Sequence, residues 1–355
     1  MYTHIFTFMK KKIKVGIIFG GKSAEHEVSL QSAKNIIEAI DKDAYDPVLI
    51  GIDKTGVWFF HDRAEFLFNT ADRRIALIPQ SEGKIASDIS IDVAFPILHG
   101  TFGEDGTIQG LLKLADIPYV GAGVLGSAVG MDKDVMKRLL RDAGIPIAKF
   151  MAVKENDAPQ YEEVAKKLGA PFFVKPANLG SSVGVHKVNN KEEFAQATHD
   201  AWRYDRKIII EEYIKGREIE CAVLGNDEPI ASVPGEIVLH SEFYSYEAKY
   251  TDVRGATCEI PAKLSSELVK KVQALAIETF KALSCEGLGR VDFFLKENGD
   301  VLVNEINTMP GFTSVSMYPK LWEASGISYT ELIGRLIQLA FERFEKEKKL
   351  KTSRA

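Results

Sequence analysis

Four clusters of residue types in this chain could carry chemistry. The first is "VKPANLGSSVGV", residues 174–185, in which Lys175 ends an apolar run and Gly180, Ser181, Ser182 and Gly184 follow. Small residues let backbone amides approach an anion and the lysine adds charge, so the stretch suits a phosphate. The same letters also fit a tight hairpin with an exposed lysine. The second cluster is "RVDFFLKENGDVLVNEINTMPGFT", with Asp292 on one strand and Glu305 and Asn307 on the next, across a hairpin at 297–300. Residues two apart share a strand face, and Asp292 can reach that face from the adjoining strand. Such an oxygen set on a rigid sheet suits magnesium, which keeps phosphate and water oxygens as its other ligands. Arg290, two before Asp292, shares the face and could meet a developing oxyanion.

The third cluster, "IIIEEYIKGREIE", ends an apolar strand in Glu211 and Glu212, passes a Lys-Gly turn and resumes with Glu218. A strand end with unpaired backbone groups can bond a purine edge, and a carboxylate can accept from ribose hydroxyls. Taken alone, exposed glutamates read the same way. The fourth cluster joins "GGKSAEHEVS" and "LHGTFGEDG". Both follow strands, and open parallel sheets place ligands at carboxyl ends of strands. Glu25, Glu27, His99, Glu104 and Asp105 are the candidates there, with Asp105 also suited to capping a helix.

The elements that must position these groups alternate. Strands at 15–19, 47–52, 93–98 and 118–120, with helical spacing at 29–39 and 108–115, predict a parallel α/β layer. From Met131 the pattern changes. A helix stops at Gly144 and Pro146. Strands at 150–153, 171–175, 183–188 and 208–212 then enclose helices at 161–168 and 191–202, as in a small antiparallel sheet backed by helices. Strands at 218–224, 230–238, 290–295 and 301–306, a long helix at 265–284 and a C-terminal helix at 329–346 complete the reading. The domains expected are 1–126, 127–223 and 224–355.

One motif misleads. Gly16, Gly21, Lys22 and Ser23 match the phosphate-binding pattern G-x-x-x-x-G-K-[ST], but Ile17, Ile18 and Phe19 continue a buried strand where an open loop is required, so the match is rejected. The chain has 355 residues and a formal net charge of −5, which gives no basic footprint for nucleic acid. Three cysteines with no C-x-x-C pair fit a reducing compartment better than a disulfide framework or zinc site. No apolar run reaches the length of a membrane span. At the N-terminus, Met9 followed by three lysines and a strand reads as a more natural start than Met1.

These clusters in this order resemble the D-alanine–D-alanine ligases of the ATP-grasp superfamily, over nearly the whole span from Met9 to Ser328. "GGKSAEHEVS", "HGTFGEDGTIQG", "MDKDVMK", "VKPANLGSSVGV", "EAKY" and "NEINTMPGFTSVSMYP" carry the resemblance. It implies an ATP-grasp fold: an N-terminal parallel α/β domain, a central α+β lid and a C-terminal domain, with ATP between the last two. It implies that Lys133, Lys175 and Ser182 meet ATP phosphates, that Glu211, Glu212, Tyr213 and Ile214 hold adenine, and that Glu218 holds the ribose. Asp292, Glu305 and Asn307 would hold two magnesium or manganese ions. Glu25 would bind the amino group of the first D-alanine, near His99, while Ser316 and Met317 would take the second. Arg290 and the Gly311 amide would form the oxyanion site. Lys249 and Tyr250 would lie on a mobile loop at 236–251, Tyr250 bonding Ser181 and through it Glu25. The resemblance further implies a cytoplasmic enzyme of peptidoglycan precursor synthesis, a homodimer, with D-alanine and ATP as partners and neither nucleic acid nor membrane. Relatives on the same scaffold that join D-alanine to D-lactate or D-serine remain an alternative, as does a non-catalytic nucleotide-binding regulator.

Overall fold

The computed structural model describes residues 11–61, 90–157, 159–239 and 256–351. Lys249, Tyr250, most of the loop expected at 236–251, and residues 1–10 lie outside that range.

The first sheet has the order β3-β2-β1-β4, from β1 (Ile13–Gly20), β2 (Tyr45–Ile52), β3 (Trp58–His61) and β4 (Val93–Ile97). β1 runs parallel to β2 and β4; β3, which sequence reading missed, adds an antiparallel edge. β1 reads as a continuous apolar run because both its faces are covered. Val15, Ile17 and Phe19 enter one core with Ile36 of α1 (His26–Ala39), and Ile18 enters the other with Leu112 of α2 (Thr107–Leu114). The ladder of β1 continues to Gly20, and Gly20 and Gly21 turn with φ of +90° and +100°. No open loop therefore exists between Gly16 and Gly21, and Lys22 is exposed. The strand expected at 118–120 is reduced to a single parallel bridge, Ala94 to Tyr119. Pro118 has no N–H to offer, and Gly121 (φ +104°) turns the chain away.

The helix expected from Met131 is broken. Asp132, in an extended conformation, ends α3 (Val124–Met131) and caps α4 (Lys133–Asp142), its side chain accepting the amides of Asp134 and Val135. Lys207 holds that carboxylate at 2.6 Å.

The second sheet is antiparallel, order β5-β8-β6-β7, from β5 (Phe150–Lys154), β6 (Phe172–Pro176), β7 (His186–Val188) and β8 (Lys207–Glu212). Val164 of α5 (Tyr161–Leu168) and Phe194 of α6 (Lys191–Ala201) close its core over Phe172, Val174, Ile208 and Ile210. β7 begins at His186 rather than at Val183. Ser181, Ser182 and Gly184 have φ of 52°, 59° and 69°, left-handed values that no ladder accepts, so the loop runs on to Val185.

The third sheet follows the order β12-β11-β9-β13-β14, with β10 paired to β9. Its strands are β9 (Arg217–Gly225), β10 (Ile230–Ala231), β11 (Gly235–Leu239), β12 (Ala256–Glu259), β13 (Gly287–Leu295) and β14 (Val301–Asn307). The single strand expected at 230–238 is divided between β10 and β11, with Pro234 in the gap. Glu236 to Leu239, expected in a loop, pair with β9 and β12 instead. The expected domain junction at 223/224 falls within β9, which belongs wholly to this sheet. One face packs on α7 (Ser266–Ala282) and α4; at one end the other face meets α8 (Met317–Ala324) and α9 (Tyr329–Lys348). What remains of that second face is polar and turned toward the first two sheets.

Candidate active site

That polar face is built by register. In antiparallel strands, directly opposed residues share a face. Asp292 lies between Glu220 and Glu305, Arg290 between Ala222 and Asn307, and Phe294 opposite Glu218. A β-bulge between Asp292 and Phe293 leaves Asn304 without a strand partner. The bulge shifts the alternation of β14, so the buried positions run Val301, Val303, Ile306 and the consecutive residues Asn304 and Glu305 both turn to the site. Arg290 forms the centre: Nε and Nη2 donate to the two Asp292 oxygens at 2.7 Å each, and Nε lies 2.9 Å from Glu220. Burial works against the guanidinium charge, but Asp292 and Glu220 outweigh it and raise the arginine well above its usual value. Asn307 donates its amide to Asp292 at 2.9 Å.

The opposing wall comes from α4, β6 and β8. Lys133 donates to the Leu179 carbonyl at 2.9 Å and pairs with Glu305 at 3.2 Å. Lys175 pairs with Glu211 at 2.5 Å, and the other Glu211 oxygen pairs with the fully buried Lys137. Burial would raise Glu211, but the two lysines overcome it and hold the carboxyl low. Burial would likewise lower Lys175, and Glu211 and Glu305 reverse the direction.

The first sheet contributes three side chains. Glu25 receives a hydrogen bond from the Ser181 hydroxyl, which ties the loop after β6 to the start of α1. Room for that carboxylate depends on Gly100, where φ is +72° and a Cβ would stand 2.6 Å from Glu25 Oε2. His99 is buried, and its Nδ1–H donates to the Met309 carbonyl at 3.0 Å. Nε2 is then the acceptor for the Ser32 hydroxyl at 3.2 Å, whose oxygen in turn accepts the Phe312 amide at 3.1 Å. Glu104 accepts the amides of Gly100 at 2.9 Å and Met309 at 3.1 Å. Burial, then the nearby Glu25 charge, pushes Glu104 up to about 8. The turn at 309–312 is therefore hooked at Met309 to the segment after β4 and at Phe312 to α1, both parts of the first-sheet layer.

Two cavities result. One, of 150 Å³, is lined by Glu25, His99, Glu104, Ser181, Glu220, Arg290, Asn307, Gly311, Ser316 and Met317 among others. The second, of 220 Å³, brings together Lys133, Lys175, Ser182, Glu211, Glu212, Tyr213, Ile214 and Glu218, with Phe173 and Phe294 as apolar walls. Gly180, Ser181 and Glu305 line both, so the two spaces meet there.

Some expectations change at the level of side chains. The Glu211 carboxylate is committed to two lysines, and that of Glu212 accepts the Lys149 amide at 2.7 Å, so for a planar base this segment has backbone and the Tyr213 ring to offer. Lys187 lies 4.7 Å above that ring. Met317 lines the first cavity but is largely buried, with its methyl group packed beside Gly235 in the core. The Ser316 hydroxyl is shared with Thr313 at 2.8 Å. Glu27 pairs with Lys54 on the surface, away from the site. Asp105 accepts the amides of Phe102 and Thr107, the capping role. Glu220, Ser32, Lys137 and Asn304 were missed. The period-2 spacing of Glu218 and Glu220 was a usable signal for the first of these; the others carry none.

Whether the residues fit a metal can be read from the donor set. Among the described residues no three His, Cys, Asp or Glu side chains cluster as a metal site. Asp292 and Glu305 oppose each other in register with the Asn307 amide beside them, an all-oxygen set suited to a hard cation that draws its remaining ligands from phosphate and water.

The His99 network has a pH consequence. Burial holds the ring neutral by lowering it from its ordinary 6.5, an effect larger than the opposing pull of Glu25. The unfolded chain gains the proton first, so this contribution to stability is intact above pH 6.5 and lost as pH falls below it. Thermal melts from pH 7.5 to 5 should show a shallower decline for His99→Gln than for the parent; parallel declines would remove His99 as the cause.

Comparison with known proteins agrees with the geometry. Family profiles described as "D-ala D-ala ligase N-terminus" and "D-ala D-ala ligase C-terminus" match residues 14–122 and 139–338. The chain is 55% identical to a D-alanine–D-alanine ligase of Oceanobacillus iheyensis, over 98% of this chain and 100% of that protein. Among solved structures it is similar to the D-alanine–D-alanine ligase of Coxiella burnetii, with a TM-score of 0.86 and 42% identity over 96% of this chain and 97% of that one. It is also similar to the D-Ala:D-Ser ligase VanG of Enterococcus faecalis, with a TM-score of 0.83 and 38% identity over 93% of this chain and 100% of that one.

Proposed function

Because the chain belongs to the D-alanine–D-alanine ligase family, we propose that it joins two D-alanines into D-alanyl-D-alanine at the expense of ATP, for peptidoglycan precursor synthesis. The observation that carries this reading is the meeting of the two cavities at Gly180, Ser181 and Glu305. A nucleotide in the larger space would bring its terminal phosphate to the wall of a smaller space sized for amino acids. Dipeptide formation is favoured over the D-serine and D-lactate alternatives by the 55% identity to the D-alanine–D-alanine ligase of Oceanobacillus iheyensis, against 38% to the D-Ala:D-Ser ligase.

The chemistry follows from the groups in place. A carboxylate does not react with an amine at neutral pH until it carries a leaving group. Lys133 and Lys175 hold the polyphosphate, and the carboxylate oxygen of the first D-alanine displaces ADP from the terminal phosphoryl group, giving an acyl phosphate. Glu25 holds the ammonium of that D-alanine and is itself held by Ser181. Asp292, Glu305 and Asn307 would hold magnesium or manganese, which supplies charge neutralisation on the transferring phosphoryl group. The amine of the second D-alanine, its carboxylate at the N-terminus of α8 and Ser316, attacks the acyl carbon. Arg290 and the Gly311 amide stabilise the oxyanion, and phosphate leaves. Water would destroy the acyl phosphate, so the second sheet serves as a lid, and Lys249 and Tyr250, outside the described residues, would complete it.

The direct test is mass analysis of the product formed from ATP, magnesium and D-alanine, alone and with equimolar D-serine or D-lactate. D-alanyl-D-alanine as the main product in every mixture supports the reading; ATP turnover indifferent to D-alanine would overturn it. A second test separates the two lysines that sequence patterns offer for phosphate. Lys175→Ala should raise the ATP requirement by roughly a hundredfold, as expected for a lost buried charge contact, whereas Lys22→Ala should leave it unchanged. A dead Lys22 variant would revive the rejected motif.

The reading includes a cytoplasmic location and a homodimer. Among the described residues no helix is long and apolar enough to cross a membrane. Leu111 and Leu114 on α2 and Leu125 on α3 are exposed on adjoining helices, an apolar face that a second copy would cover. Sedimentation equilibrium distinguishes monomer from dimer.

A further inference from the structure

Lys137 has no part in the reaction above, yet it is among the most completely buried side chains in the described chain. It stands one turn after Lys133 on α4, on the same helix face. Lys133 reaches the larger cavity, while Lys137 reaches inward to one oxygen of Glu211 and to the Asn304 carbonyl at 3.1 Å. The second oxygen of Glu211 holds Lys175 at 2.5 Å. One buried carboxylate thus bridges two lysines, and only one of them lines the nucleotide cavity. A buried charge is costly to retain unless it does something an apolar side chain of similar volume would not. The contact at Asn304 falls on the β-bulge that turns Glu305 into the site.

We propose that Lys137 is a positioning residue for nucleotide binding: by occupying one oxygen of Glu211, it limits that carboxylate's hold on Lys175 and leaves the Lys175 ammonium directed at the polyphosphate. Without Lys137, both Glu211 oxygens have a single cation to satisfy them. Lys175 is then drawn toward β8 and competes poorly for phosphate. The inference rests on the assignment of the larger cavity to ATP, and the experiment keeps the two apart.

The test is a four-cornered set, the parent, Lys137→Met, Glu211→Gln and the double variant, with Lys175→Ala as control. The dissociation constant for ATP with magnesium is measured by calorimetry, and the KM for D-alanine by phosphate release. In the presence of Glu211, Lys137→Met should weaken ATP binding by roughly tenfold or more, as truncation of one partner of a buried charge pair does. In the Glu211→Gln background the same change should cost less than about threefold, because the competing carboxylate charge is gone. The KM for D-alanine should move less than the ATP constant in every variant. A purely structural role predicts instead the same loss in both backgrounds, and that result would overturn the proposal. So would unchanged ATP binding in Lys137→Met while Lys175→Ala shows its loss. If Lys175→Ala itself binds ATP normally, the nucleotide assignment has failed and the role of Lys137 falls with it. Should Lys137→Met not accumulate as folded protein, Lys137→Gln takes its corner.

Discussion

Glu305→Gln is expected to lower kcat by roughly 10³-fold, about 4 kcal/mol of transition-state stabilisation, with the fold intact. Glu305 faces Asp292 across the β13–β14 ladder, pairs with Lys133 at 3.2 Å, and lines both cavities. Among the described residues it is the one carboxylate that lines both cavities. Glutamine keeps the volume and the bulge and removes one negative charge. Lys133 keeps the glutamine oxygen and the Leu179 carbonyl as acceptors but loses a charged partner in a largely buried pair, so the cost to stability should be about 1–3 kcal/mol, small enough to leave the chain folded. The charge that would neutralise a hard cation is halved relative to Asp292 and Glu305 together, so the apparent requirement for magnesium should rise along with the fall in kcat. Turnover and its magnesium dependence, measured beside a urea melt, check both parts. A variant with nearly parental rate at ordinary magnesium would refute the metal assignment of this face.

Arg290→Met should damage both rate and stability. The arginine holds Asp292 by two hydrogen bonds and Glu220 by a third contact, on a face that also carries Glu305. Methionine fills much of the space and leaves three carboxylates with no central cation. Removing one partner of a buried ion pair costs about 3–5 kcal/mol, because the remaining charges stay buried. Under the proposed mechanism the oxyanion of the second step also loses a donor, which is worth roughly 10²–10³ in kcat. The two losses separate experimentally. Added magnesium should recover part of the stability by neutralising Asp292 and Glu305, but little of the rate, because it does not replace a donor on the oxyanion. A variant as stable as the parent would show that the carboxylates need no central cation. A stable or magnesium-rescued variant with full kcat would remove Arg290 from the oxyanion.

Much of the site was legible because its signals are local. Arg290 with Asp292 and Glu305 with Asn307 follow period 2, and β13 and β14 place them on one face as that period requires. The loop after β6 was legible in its glycines and serines, although its length was not: the left-handed Ser181 and Ser182 carry it past the point where apolar letters resume. The false phosphate motif could be rejected for the same local reason, since an unbroken apolar run must be a covered strand. Other features depend on partners far away in sequence. His99 and Met309 are 210 residues apart, and Ser32 and Phe312 are 280 apart; nothing near any of them marks the network that hooks the 309–312 turn to the first-sheet layer. Lys137 lies four residues after Lys133 and looks like its equal on paper, yet one lines a cavity and the other is sealed against Glu211. The bulge at Asn304 was invisible as well, because a ladder slips only where the two strands and the packing beneath them agree on it. Residue type and periodicity determine what a side chain can do and which face of its own element it occupies. Which charges are buried, and which partner shares that burial, is decided when separate sheets close on one another and water is excluded from between them.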